Sequence, residues 1–112
     1  MQHHHTISYI EFSVPSVARA KDFYAAVFGW QFTDWGEDYA SFESPSVSGG
    51  FCTGVAGGEG VLVVLYSSTL EPTLSSVVAH GGQLTREIYS FPGGRRFEFI
   101  DPSGNKMAVW SE

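Results

Sequence analysis

The sequence predicts an α+β fold in which two βαβββ modules form a curved mixed sheet with the helices outside. The order strand, helix, three strands occurs twice along the 112 residues. Each predicted helix ends at glycine, and superposing Gly29 on Gly81 or Gly82 gives a repeat of about 52 or 53 residues. We therefore expect one domain, 1–112, with internal modules at about 6–55 and 60–112. Modules this small would be marginal alone, so they should share a core.

The first module opens with an alternating strand, Ile7–Val14, whose apolar side chains should pack under a helix. Ser16 can cap the helix Val17–Phe28, and Gly29 can end it. The apolar stripe expected on this helix is Val17, Ala20, Phe23, Tyr24, Val27 and Phe28. The three strands expected after it are Trp30–Trp35, Tyr39–Glu43 and roughly Gly49–Thr53.

The second module starts after the glycine-rich segment Val55–Gly60 with a continuous apolar strand, Val61–Tyr66. A helix from about Leu70 to His80 follows, with Pro72 in its first turn. Its expected buried stripe is Leu70, Leu74, Val77 and Val78. The remaining strands are predicted at Gln83–Tyr89, Arg95–Ile100 and Lys106–Trp110, the last two joined by a turn at Asp101–Asn105.

The composition restricts the kinds of molecule that the chain is expected to bind and the compartment in which we expect it. Lys and Arg number 6 against 12 Asp and Glu, and the net charge of -6 argues against nucleic-acid binding. We expect no membrane span, since no apolar run approaches the ~20 residues needed, and no signal peptide, since no apolar stretch follows the polar start. The single cysteine cannot form an intrachain disulfide, which favours a cytoplasmic location.

Two segments together resemble the vicinal oxygen chelate superfamily, the group of glyoxalase I, the bleomycin resistance proteins and the extradiol dioxygenases. They are the opening run from Ile7 to Trp30 and the closing hairpin Phe97–Lys106 with its Asp-Pro-x-Gly turn. The resemblance implies the paired-module cup of the glyoxalase/bleomycin resistance fold. It also implies a homodimer and a small-molecule ligand held between modules or subunits.

Metal-dependent members of that superfamily hold a divalent ion with histidine and carboxylate ligands on the strands. Carried over by resemblance, these ligand positions fall on Tyr9, on Gly50 or Phe51, on Leu62 and on Ala108. Such a set offers almost no donor that zinc, nickel or similar ions accept. We therefore expect no metal site of the family type and no cofactor.

Strand alternation predicts which side chains line the cup. The first strand presents Tyr9, Glu11 and Ser13, because its apolar residues must face the helix. The later strands add Leu62, Tyr66, Arg96, Glu98, Lys106 and Trp110. This lining of aromatic and apolar groups with a few charges is typical of a small-molecule pocket.

Glu11 is the candidate catalytic residue, a carboxylate beside tyrosines that can act as a general base. Its alternative role is to pair with Arg96 or Lys106 and order the sheet. Those two cations can bind an anionic ligand group or form salt bridges, and Glu98 is expected to pair with a neighbouring arginine. Trp110 can stack on a flat ligand or fill an interface.

Three remaining features are expected to be structural. Cys52 is predicted to be a buried, inert thiol, and His80 to interact with the terminal carbonyls of its helix. His3–His5 is predicted to be a frayed tail.

The hypothesis favoured by these observations is a metal-independent small-molecule binding protein. One alternative is an enzyme of the superfamily, with Glu11 as acid or base or with a metal site of unusual residues. Another is a protein-interaction domain whose cup is filled by side chains.

Overall fold

The computed structural model describes residues 3–55 and 60–112, so most of the predicted glycine-rich junction between the modules lies outside the described residues. The predicted order of strand, helix and three strands, repeated once, is confirmed. The elements are β1 (Thr6–Val14), α1 (Val17–Phe28), β2 (Phe32–Asp34), β3 (Tyr39–Phe42), β4 (Ser48–Thr53), β5 (Val61–Tyr66), α2 (Leu70–Ala79), β6 (Gln83–Phe91), β7 (Gly94–Ile100) and β8 (Lys106–Ser111).

Two strands differ from their predicted bounds by more than one residue, for reasons of packing and pairing. β2 is short because Trp30 leaves the strand to stack on Phe42, with ring centroids 4.4 Å apart. At its other end, Trp35 donates from Nε1 to Ser41 Oγ across 2.8 Å. β6 extends to Phe91, which pairs with Gly94 at the start of β7 and so closes a tight hairpin.

The ends of α1 are those that the sequence predicts. The Ser16 side chain accepts a hydrogen bond from the Arg19 backbone N–H, and Gly29 adopts the left-handed conformation at φ 74°. The predicted apolar stripe is too wide, however: Phe23, Val27 and Phe28 are all more than half exposed. Phe23 and Val27 lie beside the narrow face that contacts the strands, because successive residues rotate by 100° around a helix.

The chain forms two compact units. The N-terminal unit is Tyr9–Leu62, and its strands lie in the order β2-β3-β4-β1. β1 and β4 are parallel, while the other neighbours are antiparallel. Its core consists of Val17, Ala40, Phe42 and Phe51, with Phe12, Val14, Ala20, Tyr24, Trp30 and Phe32 packed against it. The prediction that the apolar side chains of β1 face a helix is therefore confirmed for Phe12 and Val14.

The C-terminal unit is Val63–Glu112 together with the residues up to Ser8. Its strands lie in the order β5-β8-β7-β6, and β5 and β8 are parallel. Its core consists of Leu70, Phe97, Phe99 and Val109, supported by Leu65, Leu74, Val77, Leu84, Ile88 and Met107. Phe97 and Phe99 form the apolar face of β7. Val78 of the predicted α2 stripe, by contrast, is 50% exposed.

The N-terminal histidines are bound to the protein surface, so the prediction of a frayed tail is wrong. His4 Nδ1 accepts a hydrogen bond from the Ser68 backbone N–H at 2.9 Å. His5 turns the chain at φ 59° and contacts Thr73 Oγ1 through Nε2 at 3.0 Å. Ser68 immediately precedes Thr69, the N-cap residue of α2, so this hydrogen bond attaches the N-terminal segment to the start of that helix.

None of the helices in the described part of the chain is both long and apolar enough to cross a membrane.

Candidate functional site

A chain of hydroxyl and carboxylate groups lies on the polar face of the N-terminal unit. The hydroxyls of Tyr9 and Tyr39 are 2.5 Å apart. Tyr39 donates its proton to Glu11 Oε2 at 2.9 Å. Since the proton of Tyr39 is used there, Tyr9 donates to Tyr39, and the polarity runs from Tyr9 through Tyr39 to the carboxylate.

Strand register explains why these groups meet. Glu11 lies opposite Gly50 of β4, and Tyr39 of β3 lies opposite Cys52 on the same face. Gly50 leaves the space that the two rings occupy, because a Cβ at this position would lie 2.4 Å from each of the two tyrosine hydroxyl oxygens. Tyr39 was not predicted as a site residue. The sequence signal for it was strand alternation, because Tyr39 comes directly before Ala40, which is buried together with Phe42, and so lies on the opposite face of β3.

The electrostatic setting keeps Tyr39 protonated. Burial raises the pKa of Tyr39 far above its ordinary value of 10.0, and the negative charge of Glu11 raises it further. The hydroxyl therefore acts as a hydrogen-bond donor at any physiological pH. The cluster offers a protonated phenol that is held in place by a carboxylate.

Ser13 lies further along the same face and contacts Cys52, with Oγ and Sγ 3.7 Å apart. The Cys52 thiol also lies 3.6 Å from the Phe12 carbonyl oxygen, to which it donates. Cys52 is only partly buried, so the prediction of a buried thiol is wrong in degree. Strand alternation gives the physical reason, because Cys52 lies on the face of β4 opposite to the one on which its neighbour Phe51 is buried.

A second polar cluster lies on the C-terminal unit, where Tyr89 of β6 pairs with Arg96 of β7. Tyr89 donates its hydroxyl proton to Glu98 Oε2 at 2.6 Å and accepts a hydrogen bond from Arg96 Nε. The ion pair between Arg96 and Glu98 is 3.4 Å long, as predicted for Glu98. Arg95 instead binds Glu71 of α2 with two hydrogen bonds, of 2.6 and 3.2 Å.

The other predicted lining residues lie in different surroundings. Tyr66 and Trp110 are paired across β5 and β8, and their ring centroids are 5.1 Å apart. Tyr66 donates to Glu112 Oε1 at 2.8 Å, and Trp110 donates from Nε1 to Ser8 Oγ at 2.9 Å. Lys106 is exposed at the start of β8, and Leu62 is half-buried in β5.

His80 behaves as predicted, since its Nδ1 lies 2.9 Å from the Ser76 carbonyl oxygen at the end of α2.

Cavities occur on the helix-facing side of each unit. A groove of about 500 Å³ in the N-terminal unit is bounded by the aromatic rings of Phe12, Trp30 and Phe42 and by the loop before β4. A cavity of about 290 Å³ in the C-terminal unit includes His5, Tyr66 and His80 in its lining. Of the predicted ligand-binding residues, Tyr66 alone borders either cavity in the described part of the chain.

The positions that the superfamily uses for metal ligands do not fit a metal ion here. Gly50 has no side chain, and Phe51 and Ala108 are buried apolar residues that are 1% and 0% exposed. The Tyr9 hydroxyl is hydrogen-bonded to Tyr39. Throughout residues 3–55 and 60–112 there is no group of three or more His, Cys, Asp or Glu side chains able to hold a metal ion.

The repeated βαβββ units, each with one parallel strand pair, define a chain of the paired-module α+β class. A sequence profile of the Glyoxalase/Bleomycin resistance protein/Dioxygenase superfamily matches residues 6–109, and the chain belongs to that superfamily. The family expected from the opening strand and the closing hairpin is therefore confirmed. No curated protein sequence matches the chain.

Solved structures with the same fold are distant in sequence. A superfamily member from Vibrio splendidus 12B01 is 16% identical at a TM-score of 0.74, over 96% of this chain and 100% of that one. The Mn(II)-bound glyoxalase from Novosphingobium aromaticivorans is 22% identical at 0.73, over 99% and 40%. An extradiol ring-cleaving dioxygenase from B. fuscum is 18% identical at 0.76, over 99% and 33%. At these identities the likeness shows the fold alone.

Proposed function

We propose that this chain is a cytoplasmic, metal-independent protein that binds a small organic molecule on the polar faces of its strands. The observation that carries the proposal is the chain of hydrogen bonds from Tyr9 through Tyr39 to Glu11. It presents fixed hydroxyl groups and a carboxylate on a surface that is otherwise built from glycine and small side chains. Precisely oriented polar groups of this kind give a ligand site its specificity.

Metal independence is supported by the chemistry of the donor set. The first-strand position that holds a metal-binding histidine in metal-dependent members is Tyr9 here, and its phenol donates to another phenol. The remaining positions supply a glycine and apolar groups, which are not ligands for divalent ions. A Lewis acid held at these four positions would have no adequate coordination shell.

The first experiment is elemental analysis after reconstitution with manganese, iron, nickel and zinc. His3–His5 should be replaced by asparagine, so that an adventitious histidine site is not counted. We expect retained metal far below one ion per chain. Near-stoichiometric retention would contradict metal independence and would require ligands other than those considered above.

The second experiment tests the polar cluster by ligand-observed NMR with a library of neutral and anionic fragments. Removing the Tyr39 hydroxyl in Tyr39→Phe should weaken the binding of fragments by about tenfold, because the change removes a hydrogen-bonding group from the site and one hydrogen bond from Glu11 Oε2. Tyr24→Phe is the matched control, since the Tyr24 ring packs in the core and its hydroxyl has no hydrogen bond among the described residues. Equal binding by both variants and the wild type would contradict the proposal.

The alternative is an enzyme of the superfamily in which Glu11 is the acid or base. The same hydrogen bond from Tyr39 favours it, because a phenol that holds a carboxylate in one orientation aims it at a substrate. Glu11→Gln separates the two functions. The variant keeps an acceptor for Tyr39 and should retain much of the binding, whereas turnover by general acid–base catalysis would be abolished.

A homodimer is part of the same proposal. The exposed apolar side chains of α1, Phe23, Val27 and Phe28, support it, because groups of this size are depleted from solvent-facing helix surfaces. Light scattering coupled to size-exclusion chromatography should give twice the mass of the 12.2 kDa chain. A monomeric mass at micromolar concentration would refute this part of the proposal.

A further inference from the structure

Arg86 belongs to the polar face of the C-terminal unit, although its sequence context did not single it out. In β6 it lies opposite Glu98 of β7, and Tyr89 lies opposite Arg96, so all four side chains share a face. The strand register shifts on both sides of Arg86, between Leu84 and Arg86 and again between Arg86 and Tyr89. Such irregularities change the direction of a side chain and are common beside functional sites.

The ring of Tyr89 is a fixed platform beneath Arg86. Its hydroxyl is held from two sides, by the carboxylate of Glu98 and by the guanidinium of Arg96. Burial raises the pKa of Tyr89, which keeps the phenol protonated and its hydrogen bond to Glu98 intact. The ring therefore cannot turn away without breaking charge-assisted hydrogen bonds.

Arg86 stacks directly on this platform, with its Cζ atom 3.5 Å from the ring centroid of Tyr89. Stacking occupies the flat face of the guanidinium and leaves the N–H groups pointing outward around its edge. The side chain is exposed, and within residues 3–55 and 60–112 it has neither a carboxylate partner nor a hydrogen bond. Lys21, Arg95 and Arg96, by contrast, each hold a carboxylate.

Arg86 therefore keeps its hydrogen-bond donors available in a chain with twice as many acidic as basic residues. A stack on tyrosine is a weak stabilising contact, but it favours one orientation of the guanidinium and so lowers the entropy cost of binding an anion. Because its fork of N–H groups matches a carboxylate in two parallel hydrogen bonds, the fixed guanidinium is a preorganised receptor for that group.

We infer that the polar face of the C-terminal unit has a ligand site of its own, in which Arg86 binds the carboxylate of a small organic acid. The inference rests on the proposed binding function and specifies its ligand class. Arg86 is then a ligand-binding residue, positioned by Tyr89 and indirectly by Glu98 and Arg96. A neutral ligand of the same shape would lose the two hydrogen bonds and the charge.

The experiment titrates benzoate, the neutral isostere benzamide, and inorganic phosphate into protein that is isotopically labelled on arginine. Benzoate should shift the Arg86 side-chain resonances saturably and bind at least about tenfold more tightly than benzamide. Arg86→Gln should lose this advantage, and Arg86→Lys should recover only part of it, because lysine keeps the charge without the fork. Arg19→Gln is the matched control, an exposed arginine on α1 without an ion pair among the described residues.

Several results would overturn the inference. They are the absence of a saturable Arg86 shift with benzoate, equal binding of benzoate and benzamide, and unchanged benzoate affinity in Arg86→Gln. Phosphate that binds more tightly than benzoate would overturn the choice of a carboxylate. If benzamide and neutral fragments bind while the Arg86 side-chain resonances do not shift, the proposed binding function stands and this inference alone fails. If nothing in the fragment library binds, the proposed function fails as well.

Discussion

Gly50→Ala is the substitution that tests the polar cluster of the N-terminal unit most directly. Its new Cβ would lie 2.4 Å from the hydroxyl oxygens of Tyr9 and Tyr39 and 2.7 Å from the Tyr39 Cζ atom. To reach an ordinary contact distance, the tyrosine hydroxyls must move away by about 1 Å. Such a movement stretches the 2.9 Å hydrogen bond between Tyr39 and Glu11 beyond useful range.

The expected cost follows from the bonds that are lost. A hydrogen bond to a charged group is worth about 1.5–3 kcal/mol, and one between neutral hydroxyls about 1 kcal/mol. The hydroxyls of Tyr9 and Tyr39 regain water when they move, so we expect Gly50→Ala to lower the free energy of unfolding by about 2 kcal/mol. Urea denaturation followed by tryptophan fluorescence measures this as a lower midpoint at an unchanged slope.

A double-mutant cycle with Tyr39→Phe isolates the cause. In Tyr39→Phe the hydrogen bonds of the Tyr39 hydroxyl are already absent, although the ring Cζ atom still opposes the new methyl group. Gly50→Ala should therefore cost at least about 1 kcal/mol less in this background. Gly49→Ala is the control, since its Cβ would meet the Ile10 carbonyl oxygen at 2.4 Å. That backbone contact is independent of Tyr39, so its cost should not change. Full additivity of Gly50→Ala and Tyr39→Phe would refute the reasoning.

Three further substitutions test other contacts. His4→Ala removes the acceptor for the Ser68 N–H and should lower the free energy of unfolding by about 1 kcal/mol in urea denaturation; an unchanged midpoint would mean that the tail contributes nothing. Leu70→Ala empties a site that is 1% exposed and should cost about 3 kcal/mol, and calorimetry that finds less than 1 kcal/mol would contradict the packing. Hydrogen bonds from Asn105 and Ser103 hold the pKa of Asp101 below its ordinary value of 3.8. The ionised Asp101 carboxylate therefore contributes to the free energy of unfolding above pH 3.8, and this contribution is lost as the pH falls through the lowered pKa. The urea midpoint of Asp101→Asn should therefore fall less than that of the wild type on acidification, and parallel pH profiles would contradict this.

Features that depend on neighbours in the chain were predictable from the sequence. Ser16 and Gly29 bound α1 because capping requires only the hydrogen bonds of the adjacent turn. The inward face of β1 followed from alternation, since successive side chains of a strand point to opposite sides. The closing turn followed in the same way, because Asp101 binds the backbone N–H groups of Ser103 and Asn105.

The site itself depended on contacts that local patterns do not encode. Tyr39 meets Glu11 only because β3 and β1 both flank β4, in a register set by pairing across the sheet. Arg86 lies on the same face as the Tyr89 ring because the register of β6 is irregular on both sides of Arg86. No residue type in that strand predicts this irregularity. The burial of α1 was overestimated for a similar reason, because it depends on how much of the helix the strands cover. Phe23 and Phe28 belong to an apolar helix surface that is wider than the strands beneath it.

The pairing of β1 with β4 has a consequence for folding kinetics. Ser13 and Cys52, partners in this parallel pair, are 39 positions apart in the chain, whereas the other strand pairs of the N-terminal unit are formed by strands that follow one another. Joining distant segments costs chain entropy before any contact compensates for it, so we expect this step to limit the folding rate. The pairing of β5 with β8 imposes the same requirement on the C-terminal unit. Substitutions that weaken only the hairpins should therefore accelerate unfolding, and those in the parallel pairs should slow folding.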